Sequence, residues 1–345
     1  MRALVFNAAF DVTVDEVPDP QIQSAGDAIV RVVATCVCGS DLWYYRGVSP
    51  RKAGSRIGHE FVGVVEAIGT DVGSVAVGDF VIAPFMFSDG TCPHCLNGIT
   101  SSCVHGGFWG SQGTDGGQGE YVRVPLADGT LVVVPGGQPD AELIPHLLAL
   151  SDVCGTGHHA AVGAGVRPGM TVAVVGDGAV GLNGVLAAKR LGAERIIALS
   201  RNPARQAIAT EFGATDLIEA RGQDAVGAVV ELTGGLGVDA TLECVGSAEA
   251  MTTAFAIARP GSRVGFVGVP HDIEFPVNIA FQNNVGLGGG LAPVRTYLPE
   301  LLADVLAGRI RPGLVFDLEV PFDELPAGYA AMDERRAVKA MARLA

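Results

Sequence analysis

Lysine and arginine are scarce in this 345-residue chain: 23 stand against 37 Asp and Glu, for a formal net charge of −14 at pH 7. Neutralising phosphates takes clustered cations, and none cluster here, which excludes partnership with nucleic acid or an anionic membrane surface. Long apolar runs are missing too. Residues 1–6 turn polar at Asn7 and meet Asp11, so the N-terminus lacks the apolar core of a signal peptide. The run at 141–150 is too short to cross a bilayer. There is no repeat of solenoid period and no low-complexity linker. These absences predict a compact cytoplasmic protein.

What is abundant is glycine, 48 residues in a chain that is 48% hydrophobic and 17% charged, as tight turns and close backbone contacts require. The length suggests two domains. Residues 1–150 read as short strands broken by Gly and Pro, for example 28–34 and 78–84. From 151 on, strands at 171–175, 195–200, 240–244, 263–267 and 285–287 alternate with helical runs such as 182–191 and 203–212. Such alternation means βαβ units and a parallel sheet. The chain from 293, helical at 298–307 and running out through 335–344, is expected to return to the first domain.

The phrase Val175-Gly176-Asp177-Gly178-Ala179-Val180-Gly181 fits GxGxxG between a strand and a helix. Gly176 permits the turn, Gly178 admits a pyrophosphate and Gly181 lets helix and strand approach, which predicts a dinucleotide site. An NAD site normally ends its second strand in Asp or Glu, for the ribose 2′-hydroxyl. Here that strand ends in Ser200-Arg201, and no carboxylate follows until Glu211. A hydroxyl and a cation suit a 2′-phosphate, with Arg205 as a second contact, so NADP is favoured over NAD. A merely solvated arginine is the alternative.

Seven cysteines is an odd number and three fall in one segment, which favours metal ligation over disulfides. Cys92, Cys95 and Cys103 supply three thiolates of a closed structural zinc site. Asp89, three residues before Cys92, offers a fourth ligand, with His94 and His105 as rivals. A second metal, open to substrate, is expected on Cys38 and His59, from the phrases Val37-Cys38-Gly39-Ser40-Asp41 and Gly58-His59-Glu60-Phe61-Val62-Gly63. Asp152 offers a third ligand there, and Cys154 competes with it.

As a set, and in this order, these motifs and the late Gly288-Gly289-Gly290 resemble the zinc-containing medium-chain alcohol dehydrogenases, over essentially the whole chain. The resemblance implies an α/β protein: a GroES-like β-rich catalytic domain at 1–150 and 293–345, with a structural zinc lobe at about 86–106, and a doubly wound Rossmann domain at 151–292. It implies an oxidoreductase with two zinc ions per chain that moves hydride between NADP or NAD and a small-molecule substrate, an alcohol, aldehyde or ketone. By position, Cys38, His59 and Asp152 resemble the catalytic zinc ligands, and Glu60 the adjacent glutamate that can move onto the metal. Asp41 resembles the acceptor that fixes the His59 tautomer, and Ser40 the hydroxyl that touches the substrate oxygen. Thr156, Val245, Val267 and Gly290 resemble cofactor contacts, and Ser200-Arg201 the NADP-preferring branch. Lys339 is read as a solvated surface residue, with a phosphate contact as the alternative. A homodimer or homotetramer is implied, through the strand near Val285.

Two positions depart from the family pattern. Asp89 stands where the first of four cysteines is usual. Trp43 stands where many members carry a relay His, and it cannot titrate near neutral pH. Protons then leave through the cofactor ribose and water, or the reaction differs. The alternatives are reduction of an activated C=C bond or quinone with NADPH, and a noncatalytic NADP-binding sensor. Trp43, Tyr44, Phe85, Phe108 and Trp109 are candidate pocket walls, with core packing equally expected for Trp43.

Overall fold

The strand Ala28–Cys36 is apolar and buried along nearly all its length, and it lies at the centre of the first of two units, Met1–Asp152 with Pro293–Ala345. The structure, a computed structural model, describes residues 1–111, 113–271 and 273–344. The main sheet of this unit runs Val132–Val133, Phe80–Ala83, Phe61–Ile68, Ala28–Cys36, Lys339–Arg343, Phe316–Pro321, and Tyr121–Val124 also pairs with Ala28–Cys36. Leu4, Val30, Val32, Phe61, Val81 and Tyr329 belong to its core. Trp109 joins them, edge-on to Phe61 and Phe87 at centroid distances of 5.1 and 5.6 Å, with its indole N–H donating to the Pro84 carbonyl at 2.8 Å. A buried indole with its one donor satisfied is a core residue, so Trp109 is not a pocket wall.

The segment 335–344, to which the sequence assigns no type, contains the strand Lys339–Arg343. Lys339–Arg343 runs antiparallel to Ala28–Cys36, through Met341↔Cys36, Ala342↔Thr35 and Arg343↔Ala34, and parallel to Phe316–Pro321. The preceding helix, Val294–Leu306, begins a turn earlier than expected and contains Pro299, whose missing N–H forfeits one helical hydrogen bond.

The second unit, Val153–Ala292, is built on six parallel strands ordered Asp216–Ile218, Arg195–Leu199, Thr171–Val175, Val238–Glu243, Ala258–Phe266, Gly286–Gly289. Counted along the chain, that order is 3-2-1-4-5-6, the doubly wound Rossmann arrangement, and it reverses between Thr171–Val175 and Val238–Glu243. Val172 to Val175 are all buried, as a parallel sheet covered on both faces requires. The helix Ala179–Arg190 starts before the third glycine of the motif, because Gly178 takes the extended N-cap conformation with ψ 178°. Helix Val153–Gly163 lies so close to the sheet that side chains are excluded between them. A Cβ at Gly265 would collide with the Ala160 carbonyl, and one at Gly288 would press on the Gly163 carbonyl. Among the described residues, no helix is long and apolar enough to cross a membrane.

The Gly265 contact is with backbone and cannot be relieved by a rotamer change. Gly265→Ala is therefore expected to cost about 1–3 kcal/mol, the usual range for overpacking. Urea unfolding of the variant measures it, and an unchanged midpoint would contradict the close helix–sheet approach.

Candidate metal centres and nucleotide site

Four side chains of the first unit converge on one point: the ligating atoms of Cys38, His59, Glu60 and Asp152 all lie within 4.8 Å of one another. Cys38 follows the central strand, and the helix Asp41–Tyr45 begins immediately after it. Asp41 uses both oxygens locally, one accepting the Cys38 amide at 2.9 Å and the other facing His59 Nδ1 at 3.0 Å. That acceptor assigns the ring proton to Nδ1 and leaves the Nε2 lone pair for a metal. His59 Nε2 lies 3.4 Å from Asp152 and 4.0 Å from Glu60, and the Cys38 thiol is 3.6 Å from Asp152. Gly58, at φ +89°, sets the approach to His59; a side chain there would run into Gln118, which is fixed by donating to the Cys36 carbonyl and accepting from Tyr329, both at 2.8 Å. Phe85 stands edge-on to His59 at 6.4 Å with Phe108 beside it. Tyr44 instead packs against Phe6 and shares a hydroxyl contact with Tyr329.

Charge decides what this group can hold. Burial, joined by the charge of Glu60, pushes the Cys38 thiol up. Burial raises the Glu60 carboxyl as well, although Lys339 pulls it down. Burial disfavours a protonated His59, yet Asp41, Cys38 and Asp152 outweigh it and raise the imidazole well above its ordinary value. So much acidic character in a buried space is costly unless a cation shares it. A sulfur, an imidazole nitrogen and carboxylate oxygens suit zinc.

The cation already present is Lys339. Contrary to the solvated reading, it is 1% exposed. Its ammonium donates to Glu60 at 2.7 Å and to the Val37 carbonyl at 3.1 Å. Nothing near Lys339 in sequence announces this, because the partner lies 279 residues away and is met only through the pairing of the last strand.

A second group, Asp89, Cys92, Cys95 and Cys103, also brings its ligating atoms within 4.8 Å of one another. Cys92 immediately precedes the short helix Pro93–Leu96, its side chain not spent on capping it. One Asp89 oxygen accepts the amides of Thr91 and Cys92, at 2.8 and 2.9 Å, and the other meets His105 Nδ1 at 2.6 Å. Backbone amides, those of Val104 and Cys95 first, lower the Cys92 thiol to about 7, whereas burial pushes Cys95 up to about 12. Of the rival donors, His94 Nδ1 donates to the Ser102 carbonyl at 2.6 Å and His105 is engaged by Asp89. Three thiols and a carboxylate with no gap among them fit a closed structural zinc site.

In the second unit the three motif glycines differ as a dinucleotide site demands. Gly176 has φ +117°, and a side chain at Gly181 would collide with the Gly176 carbonyl. Gly178 faces open space, so its missing side chain serves an incoming group rather than the fold. Gly176 approaches Val245 closely, the Val267 amide donates to the Glu243 carbonyl at 2.9 Å, and Gly290, at φ +103°, donates to the Phe266 carbonyl at 2.7 Å. These positions follow the carboxyl ends of four parallel strands; Gly176 and Val245 flank the point where the strand order reverses, and Val267 and Gly290 follow the next two strands outward. Thr156 and Val180 lie in the first turns of helices Val153–Gly163 and Ala179–Arg190. Glu243 was not legible as part of this end: its carboxylate accepts the Val245 and Gly246 amides, at 2.9 and 2.8 Å, and shapes their turn. Arg201 is exposed, whereas Ser200 and Arg205 are both engaged by Asp177.

Two outcomes follow from these contacts. Gly178→Ala is expected to keep its unfolding midpoint and lose dinucleotide affinity, while Gly181→Ala loses stability; differential scanning calorimetry with NADPH fluorescence titration separates them. Lys339→Met strands a buried carboxylate and is expected to cost about 3–5 kcal/mol, most of it restored by adding Glu60→Gln. Urea denaturation at matched zinc content reads both variants, and equal losses in single and double variants would exclude the ion pair as the cause.

The alcohol dehydrogenase GroES-like domain family matches residues 24–136, and the zinc-binding dehydrogenase family matches residues 179–305. Zinc-type alcohol dehydrogenase B of Aspergillus flavus is 34% identical over 98% of this chain and 80% of its own length. An alcohol dehydrogenase of Cupriavidus necator is 30% identical, over 97% of this chain and 96% of its own. The solved structure of alcohol dehydrogenase TADH from Thermus sp. ATN1 gives a TM-score of 0.92 at 35% identity, with 100% of both chains covered. Full-length relatives, both domain matches and the two donor groups agree: the chain belongs to the zinc-containing medium-chain alcohol dehydrogenase family and is a zinc-dependent oxidoreductase.

Proposed function

We propose that this protein catalyses reversible hydride transfer between NADP(H) and an alcohol and its aldehyde or ketone. The observation that carries the reading is the convergence of Cys38, His59, Glu60 and Asp152 on one point. Cys38, His59 and Asp152 would hold the catalytic zinc, with Glu60 able to join, and Asp89, Cys92, Cys95 and Cys103 a structural one. When bound, the catalytic metal supplies Lewis acidity toward the substrate oxygen, and the nicotinamide donates or accepts hydride. Asp41 keeps the His59 proton on Nδ1, and Lys339, hydrogen-bonded to Glu60, favours its ionised form against burial at the edge of the donor group. Ser40, whose hydroxyl is not spent on capping its helix, is the group to take the substrate hydroxyl proton. Trp43 takes no proton at neutral pH, so the proton leaves Ser40 through water rather than through a side chain three residues on.

Ser200, Arg201 and Arg205 support NADP over NAD, and the singly paired edge strand Gly286–Gly289 supports a homodimer or homotetramer. A cytoplasmic setting accords with the free thiols. Trp43 is the one residue that favours a second reading, reduction of an activated C=C bond.

Zinc per chain, measured on untagged protein, is expected to be two and to fall to one in Cys92→Ser/Cys95→Ser. Cys38→Ser is expected to lose at least about 100-fold in turnover of carbonyl substrates with NADPH while still binding NADPH. Retained turnover in Cys38→Ser would remove the metal-assisted mechanism, and turnover confined to enones would transfer the assignment to the C=C reading.

A further inference from the structure

The strand that should supply an acid for the ribose 2′-hydroxyl ends in Ser200-Arg201 instead, yet a carboxylate does stand at that place. It comes from the glycine turn. Asp177 accepts the Ser200 hydroxyl at 2.8 Å on one oxygen and Arg205 Nη1 at 3.1 Å on the other, and the same guanidinium reaches the Asp177 carbonyl at 3.3 Å. The pair is shielded, with Arg205 15% and Asp177 21% exposed. Ser200 is 3% exposed. Arg205 is placed by its helix: Pro203 opens Pro203–Glu211, and the Asn202 side chain caps the Ala204 and Arg205 amides. Nearby, Gln206 bridges the Ser200 carbonyl and Glu219, at 2.9 and 3.1 Å.

Resting on the dinucleotide reading above, we infer that Asp177 sets the choice between NADP and NAD. Its carboxylate occupies the hydroxyl and guanidinium that a cofactor 2′-phosphate would need. A 2′-phosphate must displace Asp177 from both partners and leave two anions side by side. A 2′-hydroxyl meets no such penalty, since it can donate to the carboxylate in place. The protein therefore binds both dinucleotides, and its preference for the phosphorylated one is held down from within. Specificity here is a difference between two affinities, set by a repulsive element as well as an attractive one.

Asp177→Asn keeps the shape and removes the charge. Fluorescence titration with NADPH and NADH is expected to show the NADPH:NADH affinity ratio rising by about tenfold or more. Competition by adenosine 2′,5′-bisphosphate against AMP isolates the 2′ position and should shift the same way. Arg205→Gln is the complementary variant: NADPH affinity should fall more than NADH affinity. A ratio within about twofold of wild type in Asp177→Asn, or equal losses in Arg205→Gln, overturns the inference while leaving the dinucleotide site standing. Failure of the wild-type protein to bind either dinucleotide overturns the dinucleotide reading itself.

Discussion

The buried pair between Lys339 and Glu60 is the contact on which the catalytic end of this protein depends. Glu60 is 0% and Lys339 1% exposed, so neither charge has water to fall back on. Each is tolerable only because the other is present, and the penalty for separating them is larger than the pair's own worth. The pair also explains why the last strand comes home. Lys339–Arg343 completes the sheet beside Ala28–Cys36, and in doing so delivers an ammonium to a space that Cys36, Cys38, Glu60 and Asp152 share with His59. Register and electrostatics are thereby coupled: a one-residue slip of the strand would turn Lys339 to the opposite face.

Three further carboxylates, Asp41, Asp89 and Glu243, are each pinned to backbone amides by one oxygen, which leaves the other to act. Asp41 takes the Cys38 amide and offers its second oxygen to His59. Asp89 takes the Thr91 and Cys92 amides and meets His105. Glu243 takes the Val245 and Gly246 amides through one oxygen. Backbone amides cost no side-chain entropy to hold still, so an acid fixed this way is already oriented before any ligand arrives. At Asp89 this matters most, because a carboxylate replacing the usual cysteine must aim as reliably as a thiolate does.

Much of the catalytic end was legible because its spacing is local. Cys38 to Asp41 is one turn of chain, Cys92 to Cys95 likewise, and GxGxxG is read within one strand-turn-helix. The parallel sheet and the grouping of both donor sets were expected from such phrases. What sequence could not yield is whatever depends on pairing between distant strands. Lys339 looked like a surface lysine, Trp109 like a pocket wall, and residues 335–344 had no type of their own. Each is decided by a partner far along the chain: Glu60, Phe61 and Ala28–Cys36. Helix starts were misplaced for a smaller reason, since the cap residue and not the apolar pattern sets the first turn.

The nucleotide end shows the limit of reading a motif by position. The rule for the second strand asks which residue follows it, but a cofactor responds to the charge in a volume, whatever segment supplies it. In this chain the strand end contributes a hydroxyl and an exposed cation, the next helix contributes Arg205, and the turn between two glycines contributes the opposing carboxylate. Summed over that volume, Asp177 cancels Arg205, and what remains is the one exposed cation of Arg201 rather than the two that Arg201 and Arg205 together suggest. Gly176, at φ +117°, turns the chain at the strand end and so sets the Asp177 carboxylate beside Ser200, while Gly178, facing open space, leaves room for a pyrophosphate: one turn serves both the phosphates and the discriminating acid.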